Sequence, residues 1–73
     1  MAEIRILSEI PGKVVAIDVA IGEDVDEDDA IVMLESMKME IPVSSPEDGK
    51  VVKILVAIDD TVAEGDEIAI IET

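Results

Sequence analysis

The sequence contains no cysteine, no histidine and no aromatic residue, and Arg5 is its single arginine. Without cysteine it can form neither a disulfide nor a zinc–thiolate site. Without histidine, its few hydroxyl groups and four lysines have no side chain that titrates near neutral pH to activate them. These absences argue against a self-contained enzyme, and they leave only carboxylate pairs for acid–base chemistry.

Basic side chains are scarce as well. Five Lys and Arg residues stand against 19 Asp and Glu, for a formal net charge of -14. Nucleic acid is therefore not an expected partner, because phosphate binding requires clustered basic groups. No segment has the basic start and apolar core of a signal peptide, and no apolar run approaches the roughly 20 residues that span a membrane. We expect a cytoplasmic protein with no membrane partner and an acidic surface that attracts basic partners.

The chain carries an internal repeat. Residues 1–36 align without a gap with residues 38–73, and 16 of the aligned positions are identical. Hydrophobic residues make up 49 % of the chain and are mostly Val and Ile, which favour β-sheets. We therefore predict a single all-β domain over residues 1–73, with repeat one at 1–36 and repeat two at 38–73.

Each repeat predicts three short strands and one brief extended piece. The predicted strands cover residues 3–8, 13–20, 30–35, 39–44, 50–57 and 67–72, with the brief pieces at Val25 and Val62. The alternation of Val15, Ile17, Val19 and Ile21 predicts that these four side chains share an inward face.

Neither half can close a core alone, because a small open sheet leaves its apolar face and its edges exposed to water. Two copies related by a pseudo-twofold axis can cover each other. The predicted fold is a flattened barrel or sandwich of two small antiparallel sheets. Asp28 stands where repeat two has Gly65, and this difference predicts a different turn in repeat one.

The two repeats meet at Met37, the single residue outside the alignment, and at Lys38, which aligns with Met1. The strand that ends near Glu35 must turn here and continue from Met39, so residues 36–39 form the predicted tip of a β-hairpin. Met-Lys is not the Asn-Gly or Asp-Gly pair that tight hairpins prefer. Unfavoured residues at a turn indicate selection for something other than folding. Lys38 is therefore the candidate functional residue.

The residues around Lys38 form a motif that extends from Glu35 to Pro42 and reads Glu-Ser-Met-Lys-Met-Glu-Ile-Pro. This motif resembles the attachment site of biotinyl and lipoyl carrier domains, in which a Met-Lys-Met tripeptide on a hairpin between two related halves presents the modified lysine. The resemblance covers the whole chain and is closest to small stand-alone attachment proteins of the biotin carboxyl carrier type.

The resemblance implies a non-catalytic carrier in which a biotin protein ligase attaches biotin to Lys38. The bound biotin would carry carboxylate between the biotin carboxylase and carboxyltransferase subunits of a biotin-dependent carboxylase. Met37 and Met39 would be flanking recognition residues, and Glu35, Ser36 and Glu40 would be the outer part of the motif.

Two alternatives remain open. Lipoyl domains typically carry Glu and then Ser or Thr before the lysine, as Glu35 and Ser36 do here, whereas Met37 and Met39 are typical of biotinyl domains. Lipoate, or dual modification, would make the chain a carrier of acyl or aminomethyl groups.

The second alternative is an acidic calcium-binding protein. Carboxylates occupy positions 1, 3, 5 and 12 of an EF-hand-like loop, and an isoleucine occupies position 8: Asp24, Asp26, Asp28, Glu35 and Ile31. Position 6, where the loop requires glycine, is Asp29, and both flanks are predicted strands rather than helices. These two conflicts make the carrier the preferred interpretation, with no metal site.

Overall fold

A computed structural model describes residues 2–73, so Met1, which begins the predicted repeat one, lies outside the described residues. The strands are β1 (Glu3–Leu7), β2 (Gly12–Ile17), β3 (Asp24–Val25), β4 (Ala30–Ser36), β5 (Met39–Ser44), β6 (Gly49–Ile54), β7 (Thr61–Val62) and β8 (Glu67–Glu72). They form two antiparallel sheets with strand orders β1-β8-β6-β3 and β5-β4-β2-β7. The predicted all-β sandwich is confirmed. Across residues 2–73 there is no helix of the length and apolar character needed to cross a membrane.

The two sheets are related by the predicted pseudo-twofold symmetry. Val14 on β2 pairs with Leu34 on β4. The residues 37 positions later, Val51 on β6 and Ile71 on β8, pair in the same way. Each sheet takes strands from both halves of the chain, so neither repeat forms a sheet by itself. The edge strands β1 and β5 are also related, with Arg5 and Pro42 at matching positions.

The core lies between the sheets and is made almost entirely of Val and Ile. Its fully enclosed members come in matched pairs from the two repeats: Val14 and Val51, Ile31 and Ile68, Leu34 and Ile71. Burying a side chain of this size stabilises the fold by about 1.5–3 kcal/mol. Two buried serines, Ser8 and Ser45, satisfy their hydroxyls by donating to backbone carbonyls two residues ahead. The interior therefore combines tight apolar packing with satisfied polar groups.

The predicted alternation in repeat one is confirmed for Ile17 and Val19, which pack against the core, and is wrong for Val15 and Ile21. At Val15 the cause is a bulge in β2. The pairing with β4 shifts between Val14 and Ala16, which leaves Val15 without a partner and moves the inward position to Val14. The strand also ends at Ile17, because a turn closed by the Glu23 N–H and the Ala20 carbonyl follows. β6 ends at the equivalent point. Ile21 is consequently 66 % exposed rather than inward-facing.

The turn at Asp28 has the same conformation as the turn at Gly65, so the predicted difference between them is wrong. Asp28 has φ 73° and Gly65 has φ 87°, both in the left-handed region. The Asp28 N–H donates to the Ser45 carbonyl at 2.8 Å, and the Gly65 N–H donates to the Ser8 carbonyl at the same distance. These matched backbone hydrogen bonds hold an aspartate where glycine is favoured, and Asp tolerates this conformation better than most residues.

We expect Asp28→Gly to raise the free energy of unfolding by about 0.5–1 kcal/mol, because glycine adopts a positive φ without steric cost. The reverse change in the other repeat, Gly65→Asp, should lower it by a similar amount, since no atom lies near enough to its added Cβ to cause a clash. Urea unfolding of both variants measures the effect. Equal stability of all three chains would show that the left-handed backbone carries no cost at these turns.

Candidate functional site

Lys38 lies at the tip of a two-residue β-hairpin loop. Ser36 and Met39 form the last residue pair of β4 and β5, and only Met37 and Lys38 connect them. Both connecting residues are left-handed, with φ 53° and φ 66°. Positive φ at both positions is the mark of a type I′ turn, which matches the twist of the flanking strands. The predicted hairpin tip is confirmed, and its two residues adopt a backbone that costs a non-glycine residue about 1–2 kcal/mol each.

Side chains at the tip project into solvent. Met37 is 93 % exposed and Met39 is 62 % exposed, and Lys38 is exposed between them. Neither methionine packs onto the end of the sandwich. Methionine is flexible and apolar, so two exposed methionines form an adaptable contact surface on either side of the amine.

The Lys38 amine is not held by an ion pair within residues 2–73. The ion pairs of this part of the chain join Arg5 to Glu67 and Lys13 to Asp59, the second at 3.4 Å. Both pairs are solvent-exposed, and such pairs contribute little to stability. The amine of Lys38 therefore needs no existing contact to be broken before it can react.

The glutamates of the motif belong to a cross-strand row on the outer face. Thr61, Lys13, Glu35 and Glu40 stand side by side on β7, β2, β4 and β5. The pseudo-twofold axis reproduces this row at the other end of the molecule, where it consists of Asp24, Lys50, Glu72 and Glu3. Glu35 and Glu40 are exposed, and Ser36, whose side chain points to the other face, is half-buried. Glu35 and Glu40 each have a glutamate at the equivalent position of the other row, so the repeat explains their presence without a role at the tip.

Gly12 is a residue that sequence reasoning did not assign to the site. A Cβ at this position would lie 2.9 Å from the backbone oxygen of Glu35, three residues before Lys38. Gly49 has the same relation to Glu72. The identity of these two glycines between the repeats was the available signal. Both allow a strand of the sheet to approach its neighbour closely, and Gly12 does so at the base of the hairpin.

The hairpin tip and the described chain ends lie at opposite ends of the molecule. The first residue of β1, Glu3, pairs with Glu72 near the other described end of the chain. Beyond β1 the chain continues to Gly12, which lies beside Glu35 at the base of the hairpin. The longest dimension is 36 Å, against 19 and 18 Å across. Lys38 is therefore held at the far end of an elongated body from both chain ends.

The carboxylates of the calcium alternative do not form an EF-hand. The segments on either side are strands β3 and β4, and helices would be required. Asp29, which occupies the position that requires glycine, accepts a hydrogen bond from the Asp26 N–H at 2.9 Å through its carboxylate. No group of three or more potential metal ligands is found among residues 2–73. The acidic loop is thus a hydrogen-bonded turn.

Comparison with known proteins identifies relatives of this arrangement. The family described as "Biotin-requiring enzyme" matches residues 5–71. The fold is similar to part of the Kluyveromyces lactis urea carboxylase, with a TM-score of 0.93, 33 % identity, and coverage of 99 % of this chain and 6 % of that one. It is also similar to part of a single-chain, multi-domain long-chain acyl-CoA carboxylase, with a TM-score of 0.87, 28 % identity, and coverage of 93 % and 7 %. No curated protein matches the sequence.

Proposed function

Because the chain belongs to the biotin/lipoyl family of biotin-requiring enzymes, we propose that Lys38 carries covalently bound biotin. The observation that carries the proposal is the two-residue turn that presents Lys38 between two exposed methionines. A type I′ turn places the amine in a repeatable position, and the sandwich behind it holds that position. The residues present therefore fit attachment of the cofactor through an amide bond.

Attachment requires a second protein. Lysine amines are protonated and weakly nucleophilic at neutral pH, and no histidine is available in this chain to remove the proton. A biotin protein ligase would supply a biotinyl-adenylate and a base. The Lys38 Nζ then loses a proton and bonds to the acyl carbon, the bond from that carbon to the AMP phosphate oxygen breaks, and AMP leaves. The exposed Met37 and Met39 side chains are the apolar contacts offered to the ligase.

The role of the biotinylated chain is inferred from its elongated shape and from the small part of each similar carboxylase that it matches. When bound, biotin accepts carboxylate at a biotin carboxylase site and releases it at a carboxyltransferase site. The chain spans only 6 % and 7 % of the two carboxylases that it resembles, so we assign both catalytic sites to other domains or subunits. Lys38, held far from the chain ends, reaches out from the body toward these sites, and tethering keeps the cofactor at high local concentration.

Lipoate is the second candidate cofactor, because Glu35 and Ser36 are typical of lipoyl domains. The structure weakens one half of that argument. Glu35 belongs to the cross-strand row with Lys13, and the repeat places Glu72 beside Lys50 in the same way. Because the repeat accounts for Glu35, Ser36 is the remaining lipoyl-like feature, against Met37 and Met39 on the biotin side.

Co-expression with a biotin protein ligase, and separately with a lipoate ligase, tests the proposal. We expect intact-mass measurement to show one biotinyl adduct for each chain with the first enzyme, and peptide mapping to place it on Lys38. The chain has three other lysines, at positions 13, 50 and 53, which serve as internal controls. Lys13→Arg should retain the adduct and Lys38→Arg should lose it entirely.

Each contrary result has a separate meaning. An adduct only with the lipoate ligase would replace biotin by lipoate and keep Lys38 as the attachment site. No adduct with either enzyme, or an adduct that survives Lys38→Arg, would refute the assignment of Lys38.

A further inference from the structure

The outer faces of the two sheets share a backbone arrangement but differ in chemistry. On the tip sheet (β5-β4-β2-β7), a row of three apolar side chains lies next to the row that contains Glu35: Pro42, Met33 and Ala16. On the opposite sheet (β1-β8-β6-β3), the equivalent row has a cation on each side of its central residue: Arg5, Ile70 and Lys53. The pseudo-twofold axis therefore repeats the backbone of this row and not its charge.

The central residue of each row shows the effect of its neighbours. Ile70 lies outside the core, between Arg5 and Lys53, yet it is only 5 % exposed, because long side chains stand on both sides of it. Met33 stands between two shorter side chains and is only half-buried. The tip sheet thus leaves an apolar strip (Pro42, Met33 and Ala16) open to solvent, where the opposite sheet covers the central residue with charged side chains.

The charges around the two rows differ in the same sense. The outer rows of the opposite sheet hold three cations and three carboxylates: Arg5, Lys50, Lys53, Asp24, Glu72 and Glu3. In the outer rows of the tip sheet, Lys13 stands beside Glu35 and Glu40. Lys13 also pairs with Asp59 at 3.4 Å. The apolar strip therefore has an excess of negative charge at its border.

On the premise of the proposed function, we propose that the outer face of the tip sheet is the docking surface for the biotin protein ligase, which covers the apolar strip and surrounds it with basic side chains. A ligase that reaches Lys38 meets a sandwich with two faces of nearly the same shape. Charge distinguishes them, because Arg5 and Lys53 repel a basic surface, whereas the carboxylates beside the strip attract it.

The apolar strip lies within the area that a ligase at the tip would cover. Strands rise about 3.3 Å per residue, so Pro42 is about 13 Å along β5 from Lys38. A standard interface buries about 800 Å² on each partner, which corresponds to a circular patch of about 16 Å radius. A contact of this size that is centred on Lys38 therefore includes the strip.

Ligase kinetics on a variant with a charged strip test the docking surface. Ala16→Lys combined with Pro42→Arg copies the row of the opposite sheet onto the tip sheet and leaves residues 35–40 unchanged. We expect the KM of the ligase for this carrier to rise by about tenfold at low ionic strength, with kcat unchanged, because two like charges then face the ligase. The ratio to the parent chain should fall towards one at about 1 M ionic strength, where screening acts beyond about 3 Å.

The matched control adds the same two charges to the opposite sheet. Leu7 and Leu55 are exposed and lie on either side of the start of β8. Leu7→Arg combined with Leu55→Lys should leave KM within about twofold of the parent value, because these charges face away from the ligase. An equal rise of KM in both double variants would show that only net charge matters and would overturn the proposal.

Met33→Gln tests the apolar part of the surface separately. We expect KM to rise by about threefold at both low and high ionic strength, because an apolar contact is not screened by salt. A KM equal to that of the parent chain would overturn the assignment of the strip as a contact.

A small acylating reagent checks that the tip itself is intact in each variant. The rate at which a succinimidyl ester acylates Lys38, measured by peptide mapping, should be the same in all the chains. A rate that falls in parallel with the rise of KM would place the effect at the tip and would overturn the docking surface.

Failure of the docking surface can be separated from failure of the proposed function. If the ligase modifies Lys38 with the same KM in every variant, only the docking surface is refuted. If no ligase modifies Lys38 in the parent chain, the proposed function is refuted and the docking surface falls with it.

Discussion

Replacing Met37-Lys38 by Asn-Gly should give a chain that is about 2 kcal/mol more stable and that accepts no biotin. Both residues are left-handed, and the backbone of each costs a non-glycine residue about 1–2 kcal/mol. Asn-Gly is the pair that a type I′ turn favours, so the double change Met37→Asn and Lys38→Gly removes most of that cost. The same change removes the amine. Stability and modification are therefore expected to move in opposite directions.

Urea unfolding and intact mass after co-expression with a biotin protein ligase measure the two effects together. Met37→Asn alone is the matched control, since it keeps the amine and should retain about half of the gain in stability. An unchanged free energy of unfolding in the double variant would mean that the turn carries no strain. A biotin adduct on the double variant would place the attachment site elsewhere in the chain.

Gly12→Ala should destabilise the fold by about 1–3 kcal/mol and also slow the biotinylation of Lys38. Its added Cβ would lie 2.9 Å from the Glu35 backbone oxygen, so β2 and β4 must separate at the base of the hairpin. A loss of this size is a large part of the stability of a domain of 73 residues. Because Glu35 is three residues before Lys38, the separation also displaces the tip.

The symmetry of the chain supplies a control for this second prediction. Gly49→Ala creates the same clash with the Glu72 oxygen, at the end of the molecule opposite to Lys38. Thermal unfolding should show equal losses for the two variants. Biotinylation under ligase-limited conditions should be slowed about tenfold in Gly12→Ala and should be unchanged in Gly49→Ala. Equal rates in both variants would show that Gly12 serves only the packing of the sheet.

Features that depend on repetition and on local turn residues could be predicted from the sequence. The ungapped repeat predicted the pseudo-twofold axis, and the single residue outside the alignment predicted a hairpin at Lys38. The hairpin prediction rests on short-range information, because a strand that must reverse within two residues has few possible conformations. The axis was predicted by comparing residues 37 positions apart. The exposure of Lys38 follows from its place in that turn.

Features that depend on pairing between distant segments could not be predicted in the same way. Each sheet combines strands from both repeats, and no sequence pattern distinguishes this arrangement from two sheets of one repeat each. The bulge at Val15 moves one inward position to Val14, whereas Ile17 and Val19 after it pack against the core as alternation suggests. Asp28 adopts the conformation of Gly65 because backbone hydrogen bonds to Ser45 enforce it. In each case long-range contacts override a local preference.

The two long edge strands of the sandwich, β1 and β5, bear on how the chain behaves beside other copies of itself, since the other two edge strands, β3 and β7, are only two residues long. Pro42 pairs with Met33 at a position where a strand residue directs its N–H away from β4, and proline has no N–H to offer there. Arg5 occupies the matching position of β1 and presents a charge instead. Neither edge is a good template for an added strand. A sandwich this rich in Val and Ile can thus be concentrated without joining its sheets to those of its neighbours, which protects it from fibrillar aggregation.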